Sequence, residues 1–248
     1  MTAARASFQR WLLARRMPQH LAALTGAGIS AESGIPTFRG RNALWGETDP
    51  VAFFTPDALT DDPLRTWTLY DRLRACAATA APNAGHLALA TLGRQRELAL
   101  ITQNIDGLHQ RAGSEPVYEL HGTLWRLRCM ECTYQEEDLR VPLPSLPPTC
   151  PHCGGLLRPD IVLYTESLPE RTLAAATHAA RTCDWLLVIG TSGVVYPAAG
   201  LPEVASRHGA VLVEINPEAT ALSGIMDHCI RSTAAEALPW VVEALLDG

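Results

Sequence analysis

Four of the seven cysteines fall into two pairs, Cys129-x-x-Cys132 and Cys150-x-x-Cys153, with 17 residues between the pairs. Two such knuckles can bring four thiolates tetrahedrally around one Zn2+, each about 2.3 Å from the metal. The intervening length is that of a zinc ribbon, and Gly154-Gly155 supplies the tight turn of the second knuckle. Four sulfur ligands leave no position for water, so the zinc is expected to be structural. His152, inside a knuckle, reads as a solvent-facing spacer, and Cys76, Cys183 and Cys229 as small buried hydrophobes.

Four further clusters could act on a ligand. Thr25-Gly26-Ala27-Gly28-Ile29-Ser30 places glycines where a backbone can approach a pyrophosphate and a helix N-terminus can face it, although an ordinary tight turn has the same composition. Gln103-Asn104-Ile105-Asp106 offers two amides and a carboxylate. Asp106 could hold a carboxamide or a ribose and Asn104 could orient a water or hydroxyl, the alternative being a helix cap. His121, followed by Gly122, titrates in the range that suits a general base; a packed strand-end histidine is the other reading, as it is for His109. Gly190-Thr191-Ser192 is a small-residue turn that could cradle a phosphate or ribose.

These clusters share a position. Apolar runs at His20–Thr25, 98–102, 117–120, Trp185–Ile189 and Val211–Ile215 read as buried strands, and the polar residues follow directly after each. Helical patterns at 5–16, 83–93, 169–181, 197–208 and Ala234–Leu246 lie among them. Alternation of this kind predicts a doubly wound parallel α/β sheet, which binds ligands at the carboxyl ends of its strands. Residues 34–75 and 122–160 break the alternation. The expected organisation is therefore a doubly wound domain made of 1–33, 76–121 and 161–248, with 34–75 and 122–160, the latter holding the cysteine pairs, inserted as a smaller lobe over its active edge.

Net charge is −6 with no basic block, which argues against direct nucleic-acid binding, and an apolar fraction of 47% is enough for a full core. All 20 basic residues are arginine. No apolar run reaches the length of a membrane helix, about 18 residues. The Arg-rich N-terminus, whose first acidic residue is Glu32, reads as a structural helix rather than a presequence, and a cytoplasmic location is expected.

Taken in order, Gly26-Ala-Gly-Ile-Ser30, Pro36-Thr-Phe-Arg39, Gln103-Asn-Ile-Asp106, His121-Gly122, the cysteine pairs, Gly190-Thr-Ser192 and Glu214-Ile-Asn216 resemble the sirtuin family, and its bacterial members in particular. The resemblance implies NAD-dependent removal of acyl groups from protein lysines, with NAD and the acyl-lysine meeting between a Rossmann-like domain and a zinc lobe. It assigns Gly26, Ala27 and Gly28 to the pyrophosphate, and Phe38 and Arg39 to the nicotinamide side. Gln103, Asn104 and Asp106 go to the ribose and carboxamide, and Gly190, Thr191, Ser192 and Asn216 to the adenosine half. His121 becomes the base that lets a ribose hydroxyl attack the acyl group, with Asn104 beside it. The implied products are nicotinamide, O-acyl-ADP-ribose and free lysine.

Departures bear on the substrate. Succinyl- and malonyl-preferring sirtuins resemble one another in an Ala, a Tyr and an Arg where this chain has Phe54, Tyr70 and Leu73, so acetyl or another uncharged acyl group is expected. Arg72 and Arg74 flank Leu73 but point about 100° away on a helix. Val162 and Tyr164 are expected to face the substrate, and Thr165 stands where the family usually has glycine. Mono-ADP-ribosyl transfer and a non-catalytic NAD-sensing module are the alternative readings.

Overall fold

The structure is a computed structural model and describes residues 2–37 and 52–247. Phe38 and Arg39 lie outside the described residues. Six parallel strands form one sheet: β1 (His20–Thr25), β2 (Glu97–Thr102), β3 (Val117–Glu119), β7 (Trp185–Ile189), β8 (Val211–Ile215) and β9 (His228–Ile230). A second, antiparallel sheet contains β4 (Gly122–Cys129), β5 (Gln135–Glu137) and β6 (Leu157–Ile161).

The large sheet has the order β3-β2-β1-β7-β8-β9. The chain leaves β1 toward β2 on one side and later returns to β7 on the other, so the order reverses between β1 and β7. Such a switch point opens a crevice at the strands' carboxyl ends. Both faces of the sheet are covered, which is why β1 and β7 are continuously apolar rather than alternating. On one face Phe8 of α1 (Ala3–Leu12), Leu89 and Leu92 of α4 (Ala84–Gln95) and Leu238, Val241 and Leu245 of α8 (Ala234–Leu246) are fully buried. On the other face, Ala176 and Ala180 of α6 (Glu170–Thr182) pack with Leu201 and Ala205 of α7 (Leu201–Arg207).

The five expected strands are present at or within one residue of their read limits. β9 was not expected: the three residues His-Cys-Ile, of which only Ile230 is fully buried, are too few to show a period, and only pairing with β8 makes them a strand. The helix expected at 197–208 is divided into a 3-10 turn, Ala198–Gly200, and α7, because Pro202 is tolerated only in a first turn. The small lobe adds α2 (Pro56–Asp61) and α3 (Pro63–Thr79), each opened by a Thr or Asp cap and a proline, while the short α5 (Leu108–Arg111) packs on α4. The helix α3 runs unbroken past residue 75. The lobe's core gathers Trp67, Tyr70, Leu127 and Leu157 around fully buried Arg74, which donates to the Leu124, Asp138 and Arg140 carbonyls and pairs with Asp138.

Candidate active site

The turn after β1 lies directly on the turn after β7. The Gly26 amide donates to the Ile189 carbonyl at 3.0 Å, and the Gly28 amide to the Gly190 carbonyl at 2.8 Å. Only glycines fit. A Cβ on Gly26 would lie 2.8 Å from the Gly190 oxygen, and one on Gly190, at φ +58°, 2.6 Å from the Ile29 nitrogen. The helix N-terminus expected behind this turn is absent. Two three-residue 3-10 turns, Ala27–Ile29 and Ala31–Ser33, follow instead, too short to carry a helix dipole. The turn thus offers backbone and close approach. It lines a cleft of about 680 Å³ with Gln103, Asn104, His121, Val162, Tyr164, Thr165, Thr191, Ser192 and Asn216.

His121 occupies the two-residue link between β3 of the large sheet and β4 of the lobe. The link is tight because Gly122, at φ +73°, would place a Cβ 1.9 Å from the Asp160 oxygen. Imidazole Nδ1 lies 3.0 Å from the Gln103 carbonyl oxygen. A carbonyl only accepts, so Nδ1 carries the proton and Nε2 keeps its lone pair. Burial pushes the imidazole's pKa below its ordinary value, against a smaller upward push from that hydrogen bond. The ring is therefore neutral near pH 7 and can accept a proton at Nε2.

Asn104 is held from three sides. Its backbone amide donates to Thr102 Oγ1 at 3.0 Å, and Nδ2 donates to the Gly26 carbonyl and to Ser30 Oγ, each at 3.2 Å. Oδ1 is left as the atom it can offer a ligand. Gln103 Nε2 donates to Thr191 Oγ1 at 3.0 Å, and Asn216 Nδ2 donates to the Thr191 carbonyl at 3.1 Å, tying the ends of β2, β7 and β8 together. Asp106 sits behind the described lining. It is buried, with one oxygen on the Leu108 amide and the other on the Ser30 hydroxyl, and burial raises its carboxyl pKa.

A buried polar layer supports this row. Thr25 donates to Thr102 at 2.8 Å, and His109 Nε2 lies 2.9 Å from Thr25 Oγ1. His86 Nε2 lies 3.4 Å from Ser30 Oγ. Burial pushes His86 down to about 4 and His109 to about 3, so both are neutral spacers. Ser30 and His86 were not among the site residues read from the sequence. The signal for His86 was its place three residues after Asn83, where it closes a capping box at the start of α4.

The four Sγ atoms of Cys129, Cys132, Cys150 and Cys153 all lie within 4.8 Å of one another, and the closest pairs are 3.5–3.6 Å apart. Four sulfurs sharing one zinc at about 2.3 Å are spaced by about 3.8 Å. The donor set therefore fits one structural Zn2+. The strand β4 runs from Gly122, next to His121, to Cys129, and β6 runs from Leu157, beyond the second knuckle, to Ile161, next to Val162. The metal site thus secures the far ends of both strands whose near ends enter the cleft.

On the lobe side of the cleft, Val162 donates to the His121 carbonyl at 2.9 Å and Tyr164 to the Phe54 carbonyl at 2.7 Å. Glu166 grips Arg158 through both oxygens, at 2.6 and 2.9 Å, and accepts from the Leu163 amide. Tyr70 is fully buried, its hydroxyl donating to the Phe53 carbonyl, and its ring meets Phe54 edge-on at 5.6 Å. Thr165 is the single non-glycine at positive φ (77°) among the described residues, a conformation costly for a β-branched side chain.

Comparison with known proteins agrees with this geometry. Residues 26–197 match the model of the Sir2 family. This chain belongs to the Sir2 family. The sirtuin is 48% identical over 227 residues to the NAD-dependent protein deacylase of Aquifex aeolicus strain VF5, covering 91% of this chain and 95% of that one. It superimposes on a mutant Sir2 homologue in complex with 2'-O-acetyl-ADP-ribose (TM-score 0.91, 40% identity, covering 100% of this chain and 97% of that one). It also superimposes on a complex of Sir2 with a p53 peptide and NAD+ (TM-score 0.84, 33% identity, 98% of each chain). The loop after β8 also lines the sirtuin's cleft, through Glu218, Ala219, Thr220 and Ala221. None of these was expected from the sequence, although a polar loop following a strand's carboxyl end was the available signal.

Proposed function

We propose that this sirtuin is an NAD-dependent protein-lysine deacylase that prefers acetyl and other uncharged acyl groups to succinyl, yielding nicotinamide, O-acyl-ADP-ribose and free lysine. The observation that carries it is His121: a neutral imidazole, its Nδ1 proton held on Gln103, stands where the glycine turn and the zinc-tethered strands converge. The deacylase relatives and the homologue bound to O-acetyl-ADP-ribose support the same reading.

The residues present fit the dinucleotide. The cradle of Gly26, Ala27 and Gly28 against Gly190, which any Cβ would obstruct, would hold the pyrophosphate. Gln103 and Asn104 would take the ribose beside His121, with Asp106 behind them holding the Ser30 hydroxyl that meets Asn104, and Phe38 and Arg39 over the nicotinamide side. Thr191, Ser192 and Asn216 would take the adenosine half. NAD supplies a labile glycosidic bond and the ribose that receives the acyl group. His121 Nε2 takes a proton from a ribose hydroxyl, and Asn104 Oδ1 orients the neighbouring hydroxyl or a water. Val162, Tyr164 and Thr165 form the wall along which the substrate peptide lies, and Tyr70 backs the acyl pocket behind Phe54.

The acyl preference follows from charge and volume. No described lining residue is cationic. Leu73 packs into the lobe core, Arg72 is exposed, and both Nη atoms of Arg74 are taken up by carbonyls and Asp138. A succinyl group would forgo a charged hydrogen bond worth roughly 1.5–3 kcal/mol. Acyl-lysine proteins are then the partners, with no role for nucleic acid. Among the described residues no helix is long and apolar enough to cross a membrane. A reducing cytoplasm suits four zinc-bound thiolates.

The test is mass spectrometry of NAD with matched acetyl- and succinyl-peptides. The expected result is faster acetyl removal and a loss of about 10²–10⁴-fold in His121→Ala, the contribution of a general base. A faster succinyl reaction would refute the acyl preference. Radiolabel from NAD on protein without deacylation would favour ADP-ribosyl transfer.

A further inference from the structure

Glu214 is a buried carboxylate to which the chemistry above gives no task. It is the fourth residue of β8, 1% exposed, in a strand otherwise built of Val, Leu and Ile. A lone carboxylate there would be strongly disfavoured. Three donors compensate it. One oxygen accepts from the Thr220 hydroxyl, and the other from the Ser223 hydroxyl at 2.6 Å and Arg231 Nη1 at 2.6 Å. Arg231 continues the network, donating to the Asn216 and Glu218 carbonyls at 3.4 and 3.0 Å and to Ser223 Oγ at 3.0 Å. Ser223 Oγ in turn accepts from the Thr220 amide at 2.8 Å, and Thr220 Oγ1 from the Leu222 amide at 3.1 Å.

Apart from the Glu214–Arg231 pair itself, every one of these bonds ends on the segment 216–223. That segment has no regular structure before the 3-10 turn Ser223–Ile225, yet Asn216, Glu218, Ala219, Thr220 and Ala221 all line the cleft. Its shape is therefore not set by strand or helix bonds. It is set by one buried carboxylate and one arginine, the arginine 36% exposed and arriving from the end of β9.

We propose that Glu214, with Arg231, is a positioning residue for NAD: the pair holds residues 216–222 as a preformed wall for the adenosine half without touching the reacting atoms. The inference rests on the reading of the cleft as an NAD site. Preorganisation of this kind acts on affinity rather than on the bond-breaking step.

The experiment compares wild type, Glu214→Gln, Arg231→Gln, Arg231→Lys and the Glu214→Gln/Arg231→Gln double variant as full chains. KM for NAD and Kd for ADP-ribose, by calorimetry, should rise roughly tenfold in each single glutamine variant, as expected for one lost charged hydrogen bond. Turnover at saturating NAD and KM for the acyl-peptide should stay within about twofold of wild type, since neither group touches the reaction. The double variant should be no weaker than the weaker single one, because both changes break one network. Arg231→Lys should recover part of the affinity. A role in stability alone would lower the thermal midpoint and the active fraction, hence kcat, with KM unmoved, and that pattern overturns the proposal. So does an unchanged KM in well-folded variants. Should Glu214→Gln fail to fold, Arg231→Gln decides alone, its side chain lying at the surface. Wild-type protein that binds no ADP-ribose would instead overturn the NAD reading and this inference with it.

Discussion

The two walls of the cleft meet at His121, and they are held by different forces. The wall from the large sheet rests on two apolar layers, with β1 and β7 buried on both faces and glycine turns locked by backbone hydrogen bonds. The lobe wall has three short antiparallel strands and one small core, into which two of the zinc-site cysteines, a buried Arg74–Asp138 pair and the Glu166–Arg158 clasp are built. A core of that size does not stabilise itself well, and a metal supplies what apolar area cannot. The difference teaches that one side of the site is set by folding of the sheet and the other by occupation of a metal site.

Removing zinc is the strongest way to break this contrast. Structural zinc contributes about 10–16 kcal/mol in small isolated metal domains. Chelation, or Cys129→Ser with Cys150→Ser, should abolish deacylation and confine limited proteolysis to residues 122–160, while the circular dichroism of the sheet domain persists. A chelated protein that stayed active and protease-resistant would show the lobe to be self-supporting.

Gly190→Ala attacks the other wall. Its Cβ would press on the Ile29 nitrogen at 2.6 Å from a left-handed backbone, so the β1 and β7 turns must separate. ADP-ribose affinity should fall at least tenfold and stability by about 1–3 kcal/mol, read by calorimetry and thermal melting. Unaltered ADP-ribose binding would mean that the contact between the turns is dispensable.

Phe54→Leu probes volume at the lobe side. The smaller side chain should raise the butyryl-to-acetyl ratio of kcat/KM a few-fold, the scale of about one methylene in an apolar pocket. No change in the ratio would remove Phe54 from the acyl pocket.

The smallest effect concerns pH. His121 works only when neutral, and burial lowers its pKa, so the neutral form persists further into acid than for a free imidazole. The acid limb of kcat/KM should therefore have its midpoint below the ordinary 6.5. A midpoint above 6.5 would contradict the burial described.

Much of this was legible in the one-dimensional pattern. The strands β1, β7 and β8 showed themselves as nearly continuous apolar runs because both of their faces are covered, and the polar residues following the strands marked the carboxyl edge. The cysteine spacing was legible because thiolate geometry around zinc tolerates few separations. Asp106 shows the limit. Its motif suggested a ligand-facing carboxylate, whereas its described surroundings are the Ser30 hydroxyl and the Leu108 amide. Whether a polar side chain faces the cleft or the interior depends on neighbours distant in the chain.

Local rules acting on the sequence alone therefore determined which residues become strands, which glycines permit close backbone contact and which four sulfurs can share a metal. Tertiary structure decided the rest: the tautomer of His121, the burial of Arg74, the three-residue strand β9, and the anchoring of the loop after β8 on Glu214. These depend on the Gln103 carbonyl, the Leu124 and Asp138 carbonyls, the edge of β8 and the Arg231 guanidinium. Each becomes a partner only once distant segments are packed together, because hydrogen bonds and desolvation act over a few ångströms of space rather than along the chain.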